Sequence, residues 1–192
     1  MKPHHLIFEG AELTGKTYLL SRVYDILEKK YNTTKRNDIL DGCIWFGCDN
    51  GVFGSEFGKS VIQKYVEMLE FLKDKNTIFE KFHISDQVYN FLYYDKNINY
   101  RGVERRLRSF DCKIVFCKIK EDEDVFKKRI EERLKSVPHY QRIVKPFSWY
   151  IKQQRTYEQF LEKSILPVLE VDMTKIPNEK YKEVLGWIKE EA

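Results

Sequence analysis

Leu6-Ile-Phe-Glu-Gly10-Ala-Glu-Leu-Thr-Gly15-Lys-Thr17 is the stretch whose reading decides the fold. Residues 10–17 match G-x-x-x-x-G-K-[ST], the spacing of a phosphate-binding loop. Gly10 and Gly15 let the backbone curl so that successive amides point inward at a phosphate. Lys16 brings a mobile positive charge to the outer phosphates, and the Thr17 hydroxyl is a Mg²⁺ ligand of the right kind. The apolar run Leu6-Ile7-Phe8 reads as a buried strand. Leu19, Leu20, Val23, Ile26 and Leu27 have helical spacing within Thr14 to Lys30. Strand, loop and helix in that order place an anion at a helix N-terminus, where unpaired amides and the dipole favour it. The reading is a nucleoside-triphosphate site formed by Gly10, Ala11, Glu12, Leu13, Thr14, Gly15, Lys16, Thr17 and Tyr18.

The rest of the chain fits one sizeable core. The full chain has 192 residues, 42% hydrophobic and 33% charged, with net charge +4. That length is expected to form a single domain, 1–192. No run approaches the roughly 18 apolar residues of a membrane span, and no signal peptide is visible at Met1-Lys-Pro-His-His5, so a cytoplasmic protein with no membrane partner is expected. The mild basicity suits a small anionic substrate and permits nucleic acid without indicating it. The cysteines form two pairs, Cys43/Cys48 and Cys112/Cys117. A zinc site is the sharper reading. Reduced core thiols are preferred, because an offset of five along the strand at 112–117 points the two thiols to opposite faces.

Strand and helix patterns then alternate. An irregular, Gly- and aromatic-rich stretch from Asn37 to Gly58 contains one short strand. Helix is expected over Lys59–Lys73, Ser85–Tyr94 with Ser85 as N-cap, Val103–Phe110, Asp122–Lys135, Ser148–Ser164 and Glu179–Glu191. Strands are expected at Thr77–Phe79, Lys113–Ile119 and Pro167–Asp172. Such alternation implies parallel β-α-β units, with ligands beyond the carboxyl ends of the strands. Glu9-Gly10 and Glu80-Lys81 both end strands and should share one crevice.

Glu80 stands where an acid can hold a metal-bound water or accept a hydroxyl proton. Lys81 can offset charge on a transferring phosphoryl group. Arg129 and Arg133, four apart on one helix face, precede a proline-bounded break at 136–146 that also carries Arg142 and Lys145. A basic helix leading into such a break is expected to form a lid over about 129–146, with Arg129 or Arg133 reaching the phosphates. Arg101 and Arg105 are candidates for an acceptor phosphate.

This order of features resembles the thymidylate kinase and deoxynucleoside kinase group of P-loop kinases, whose members open on Phe-hydrophobic-Glu-Gly and a phosphate loop, carry Asp-Arg or Glu-Arg at the next buried strand end, and add an arginine-bearing lid. The counterparts here are Ile7-Phe8-Glu9-Gly10, Glu80-Lys81, and Arg129 with Arg133. Small phage-type kinases are more similar still, with Asp-Arg-Phe-His-x-Ser-Glu-x-Val-Tyr-Gly matching Glu80-Lys-Phe-His-Ile-Ser-Asp-Gln-Val-Tyr-Asn90, followed by Arg101-Gly102. Lys81 replaces the family arginine and cannot reproduce its planar two-point contact. Glu12 takes a loop position where thymidylate kinases often place an Asp near the acceptor sugar.

The resemblance implies an α/β, three-layer α/β/α P-loop fold with a mainly parallel sheet of about five strands and a helical lid. It implies ATP and Mg²⁺, with Thr17 and Glu80 at the metal and Lys16, Glu80, Lys81, Arg129 and Arg133 in catalysis. A nucleoside or nucleoside monophosphate acceptor would meet Glu12, His83, Asp86, Tyr89, Arg101 and Arg105, with Trp45, Phe53 or Phe57 against its base. A homodimer is compatible with this. Two other readings stay open: a kinase acting on a modified base or polynucleotide end, and a non-catalytic nucleotide-binding protein.

Overall fold

The computed structural model describes residues 2–34, 38–49, 51–175 and 179–190. Five strands form one all-parallel sheet: β1 (His5–Glu9), β2 (Cys43–Gly47), β3 (Asn76–Glu80), β4 (Lys113–Lys118) and β5 (Val168–Asp172), in the order β2-β3-β1-β4-β5. The helices are α1 (Lys16–Tyr31), α2 (Gly58–Phe71), α3 (His83–Tyr94), α4 (Arg101–Ser109), α5 (Glu123–Ser136), α6 (Phe147–Leu161) and α7 (Lys180–Trp187). A 3-10 turn at Pro138–Arg142 follows α5. Asn37, the expected start of the aromatic-rich stretch, and Glu191, the expected end of the last helix, lie outside the described residues.

The strands are apolar on both faces because helices cover both. Leu6 and Phe8 face one core with Leu19, Leu20, Val23, Val184 and Leu185, from α1 and α7. Ile7 between them faces the other, with Ile62, Val66, Val88, Leu107 and Tyr157, from α2, α3, α4 and α6. The cysteines divide the same way. Cys43 and Cys117 lie in the first core, Cys48 and Cys112 in the second, and all four are unpaired and buried. No helix among the described residues is long and apolar enough to cross a membrane.

Register brings the strand ends level. Glu80 lies opposite Phe8 on one neighbour and Gly47 on the other, and Glu9 lies opposite Phe116. The chain leaves β1 for the edge strand β2 and returns to β4 on its other side, so the crevice opens where the strand order reverses.

One expectation is corrected here. Helix α3 begins at His83, not after a Ser85 cap, because its first amides have an acceptor from another strand. The fully buried Glu9 carboxylate takes the N–H groups of Phe82 at 3.0 Å, Ile84 at 3.2 Å and Ser85 at 3.4 Å. The Ser85 hydroxyl also donates to Glu9 and accepts from Tyr157 at 2.8 Å. Burial pushes the Glu9 carboxyl up, and these donors, with His83 and Lys16 nearby, pull it back. Glu9→Ala should leave three orphaned helix amides and cost about 3 kcal/mol, read as a lowered denaturant midpoint.

A second anchor closes the chain ends. The Glu190 carboxylate accepts from Lys30, from Tyr31 at 2.6 Å and from the His4 ring at 2.7 Å. Burial alone would raise its pKa, but these bonds outweigh it and hold the group at about 2. Because the folded-state value is depressed, the stabilisation is complete above the unfolded carboxylate range and is lost as pH falls toward 2. Glu190→Gln should therefore flatten the acid limb of a stability-against-pH curve between roughly pH 5 and 2.

Candidate active site

The phosphate loop is wound as its glycines require, with one addition. Gly10 has φ +142°, and a Cβ there would stand 2.3 Å from the Cys117 carbonyl oxygen. Gly15 has φ +78° and opens α1, whose N-terminus no side chain caps. Leu13 is also left-handed, at φ +67°, an uncommon conformation for a branched side chain and one that nothing in the sequence marks. Lys16 is buried and donates to the carbonyls of Gly10 at 3.0 Å and Ala11 at 3.3 Å. Burial and the neighbouring Lys81 push its pKa down, against Cys117, Glu80 and Glu9.

The loop forms one wall of a cavity of about 900 Å³, lined by Glu12 through Tyr18 and by side chains from both halves of the sheet. At its floor the Thr17 hydroxyl donates to Glu80 Oε1. These two oxygens come from helix α1 and the end of β3, as the motif spacing demands. Lys81 follows with φ +56°, a strained backbone held by an N–H bond to the Phe8 carbonyl at 2.9 Å. Its ammonium donates to the Asp49 carboxylate and, at 2.9 Å, to the Tyr89 hydroxyl, and lies 5.3 Å from that ring's centroid. Burial would lower the Lys81 pKa, but Tyr89 and Asp49 raise it. Burial pushes the Tyr89 phenol up to about 12.

The expected lid meets the loop directly. Tyr140, in the turn after α5, donates its hydroxyl to the Glu12 carboxylate at 2.9 Å. Tyr150 of α6 lies 3.1 Å from the Tyr140 oxygen and accepts from the Lys145 amide at 3.1 Å. The bonds thus run in one direction, from Lys145 through Tyr150 and Tyr140 to Glu12. Arg133 lines the cavity, 5.6 Å from the Tyr140 ring centroid. Arg129 lines it too, but its guanidinium is tied to the Met173 carbonyl at 2.7 Å, just past β5. Lys127 and Lys128 are exposed on the same helix.

Other expected residues are placed elsewhere. His83 is fully buried, 3.4 Å from Glu104, among Phe82 and Tyr100, and does not line the cavity. Asp86 is buried behind it, accepting from the Gly54 amide, Asn90 and Tyr100, beside a separate hollow of about 540 Å³ that Phe57 also lines. Arg101 reaches back to the Lys163 carbonyl at 3.2 Å, and Arg105 is exposed on α4. Neither faces the cavity, because α4 packs its apolar stripe of Val103 and Leu107 inward and turns its arginines out. Of the candidate aromatics only Phe53 lines the cavity; Trp45 packs on Tyr24 at the sheet edge.

No protein-family model matches the chain, and no curated protein matches it by sequence. Solved structures do. The YorR protein of Bacillus subtilis, solved with phosphorylated GDP, superposes with TM-score 0.61 at 19% identity, over 96% of this chain and 95% of that one. Deoxyadenosine kinase from M. mycoides with bound dATP gives 0.59 at 15% identity, over 97% and 99%. Thymidylate kinase from Ehrlichia chaffeensis gives 0.54 at 12% identity, over 98% and 100%.

The chain shares the all-parallel, helix-covered α/β fold of these structures. Within that fold, three residues of the site carry no sequence signal of their own. Asp49 lies in the Gly-rich stretch after β2. Tyr140 and Gln153 act through contacts 128 and 141 positions away, on Glu12. Proximity of Asp49 to a short apolar strand end was the one available clue. Tyr140→Phe should cut the chain of hydroxyl bonds for about 1 kcal/mol. Amide exchange over 138–145 should then quicken about fivefold, with little change in the global unfolding midpoint.

Proposed function

We propose that this chain is an ATP- and Mg²⁺-dependent kinase for a nucleoside or nucleoside monophosphate, one domain over residues 1–192 with its lid at about 129–146. The observation that carries this reading is the Thr17–Glu80 pair beside Lys16, with the Lys81–Asp49–Tyr89 cluster next to it in the same cavity. A switch protein needs the first cluster; a second, polar cluster adjoining it suits an acceptor.

The residues present fit a magnesium ion. Thr17 and Glu80 offer a hydroxyl and a carboxylate oxygen already within hydrogen-bond reach of each other, a hard donor set suited to Mg²⁺ completed by phosphates and water. Magnesium, when bound, neutralises charge on the donor phosphates. Lys16 and the loop amides hold those phosphates, and Arg133, with Arg129, adds positive charge from the lid side. In the transfer, the acceptor hydroxyl oxygen bonds to the γ-phosphorus as the bond to the bridging oxygen breaks. ADP leaves with that electron pair, and the hydroxyl proton passes to a carboxylate, the role assigned to the cavity-lining Glu80. Lys81, which the phosphoryl group must draw away from Asp49, offsets the charge spread over the equatorial oxygens. Closure of Tyr140 onto Glu12 excludes water that would otherwise compete as acceptor.

An ATP-consumption screen across nucleosides, nucleoside monophosphates and short DNA tests the reading. Lys16→Ala should lower turnover by at least about a hundredfold with the active acceptor. Activity that survived this change would refute the donor site.

A further inference from the structure

The strand order divides the large cavity in two. β2 and β3 lie on one side of β1, and β4 and β5 on the other. Arg129 and Arg133 come from α5, which follows β4, and Lys16 belongs to the loop between the halves. The opposite half is walled by Asp49, Phe53, Lys81, Tyr89 and Tyr93, with Glu80 at the end of β3 and Glu12 at the boundary. Among the described residues lining that half, the single cation Lys81 stands among three carboxylates, Asp49, Glu80 and Glu12. Its ammonium is already engaged by Asp49 and the Tyr89 hydroxyl. The guanidinium groups nearest in sequence, Arg101 and Arg105, lie outside the cavity.

We infer that this half of the site takes an uncharged nucleoside in preference to its 5′-monophosphate. The inference rests on the kinase reading above and narrows its substrate class. A phosphomonoester carries between one and two negative charges near neutral pH. Sites that recognise one supply unengaged cations, most often paired guanidinium donors. Here the phosphate would have to displace Asp49 from Lys81, and it would leave that carboxylate beside its own charge. A nucleoside meets the opposite situation. Its hydroxyl groups are donors, and Asp49 and Glu12 are acceptors with lone pairs beyond those already used. Phe53, Tyr89 and Tyr93 give the base an apolar wall. The remaining cations stand on the loop and lid, where the donor triphosphate needs them.

The test compares kcat/KM, with saturating Mg²⁺-ATP, for the four deoxynucleosides and their 5′-monophosphates. It is repeated with Asp49→Asn, and calorimetric binding of the same compounds accompanies both series in case the variant turns over slowly. The best nucleoside should exceed its own monophosphate by tenfold or more in the natural protein, in kcat/KM and in affinity. Asp49→Asn should narrow that ratio by at least tenfold, since it removes a negative charge and frees Lys81. A monophosphate preferred or equally used would overturn the inference and leave the kinase reading standing. A ratio unmoved by Asp49→Asn would overturn the charge argument. Absence of ATP-dependent product from every compound would refute the kinase reading itself.

Discussion

A carboxylate with no access to water must be answered by donors, and the answer given to Glu9 arranges the rest of the site. The residue ends β1 and immediately precedes the phosphate loop. Its three amide donors begin α3, immediately after Glu80 and Lys81. One buried charge thereby fixes the loop and the neighbouring strand end relative to each other, within hydrogen-bond tolerance. It also suits a helix N-terminus electrostatically, where an anion is favoured. The level strand ends alone would bring Thr17 near Glu80. The Glu9 contacts make that approach rigid, and the left-handed backbone of Lys81 is the strain accepted in return.

Helix α6 extends the same logic across the cavity. Tyr150, Gln153, Gln154 and Tyr157 share one face, and each is buried. Tyr150 supports the turn at Pro138–Arg142 through Tyr140, and Gln153 accepts from the Glu12 amide at 2.9 Å. Gln154 takes the Ile119 amide and donates to its carbonyl, both at 3.0 Å, closing the end of β4. Tyr157 donates to Ser85, whose hydroxyl donates in turn to Glu9. A single helix thus touches the 138–142 turn, the loop, a strand end and the Glu9 cluster through polar contacts. An apolar helix of the same shape would pack against the sheet but would leave the loop amide and the Tyr140 hydroxyl unmet, at a cost for every buried group.

Much of this was legible in the sequence, and the part that was not has a common cause. The phosphate loop shows because its requirements are local: two left-handed or crowded positions that favour glycine, a lysine and a hydroxyl at fixed offsets. The alternation of strands and helices, and Glu80 at a strand end, show because burial imposes a period on nearby residues. Asp49, Tyr140 and Gln153 do not, because their partners are distant in the chain. Arg101 and Arg105 stand outside the cavity for a related reason. A basic cluster reveals its charge but not its facing, and the apolar stripe of α4 turned it outward. Ser85 offered a plausible cap for its helix, yet a stronger acceptor reached the same amides from β1. Local chemistry is readable; its rivals from elsewhere in the fold are not.

The distribution of charge in the cavity follows from how these elements meet. Cations on the loop and on α5 cluster around the uncapped N-terminus of α1, where phosphates are favoured. Across the loop, Lys81 replaces an arginine in the resembling kinases, and its compact ammonium suits a single carboxylate and a phenol better than a two-pronged anion. Pairing with Asp49 satisfies the lysine in a half-buried position where an unpaired charge would be costly. It also withdraws that charge from any ligand unless the ligand competes for it. The two ends of the cavity are therefore distinguished less by shape than by what their positive charges rest on: backbone carbonyls for Lys16, a carboxylate for Lys81.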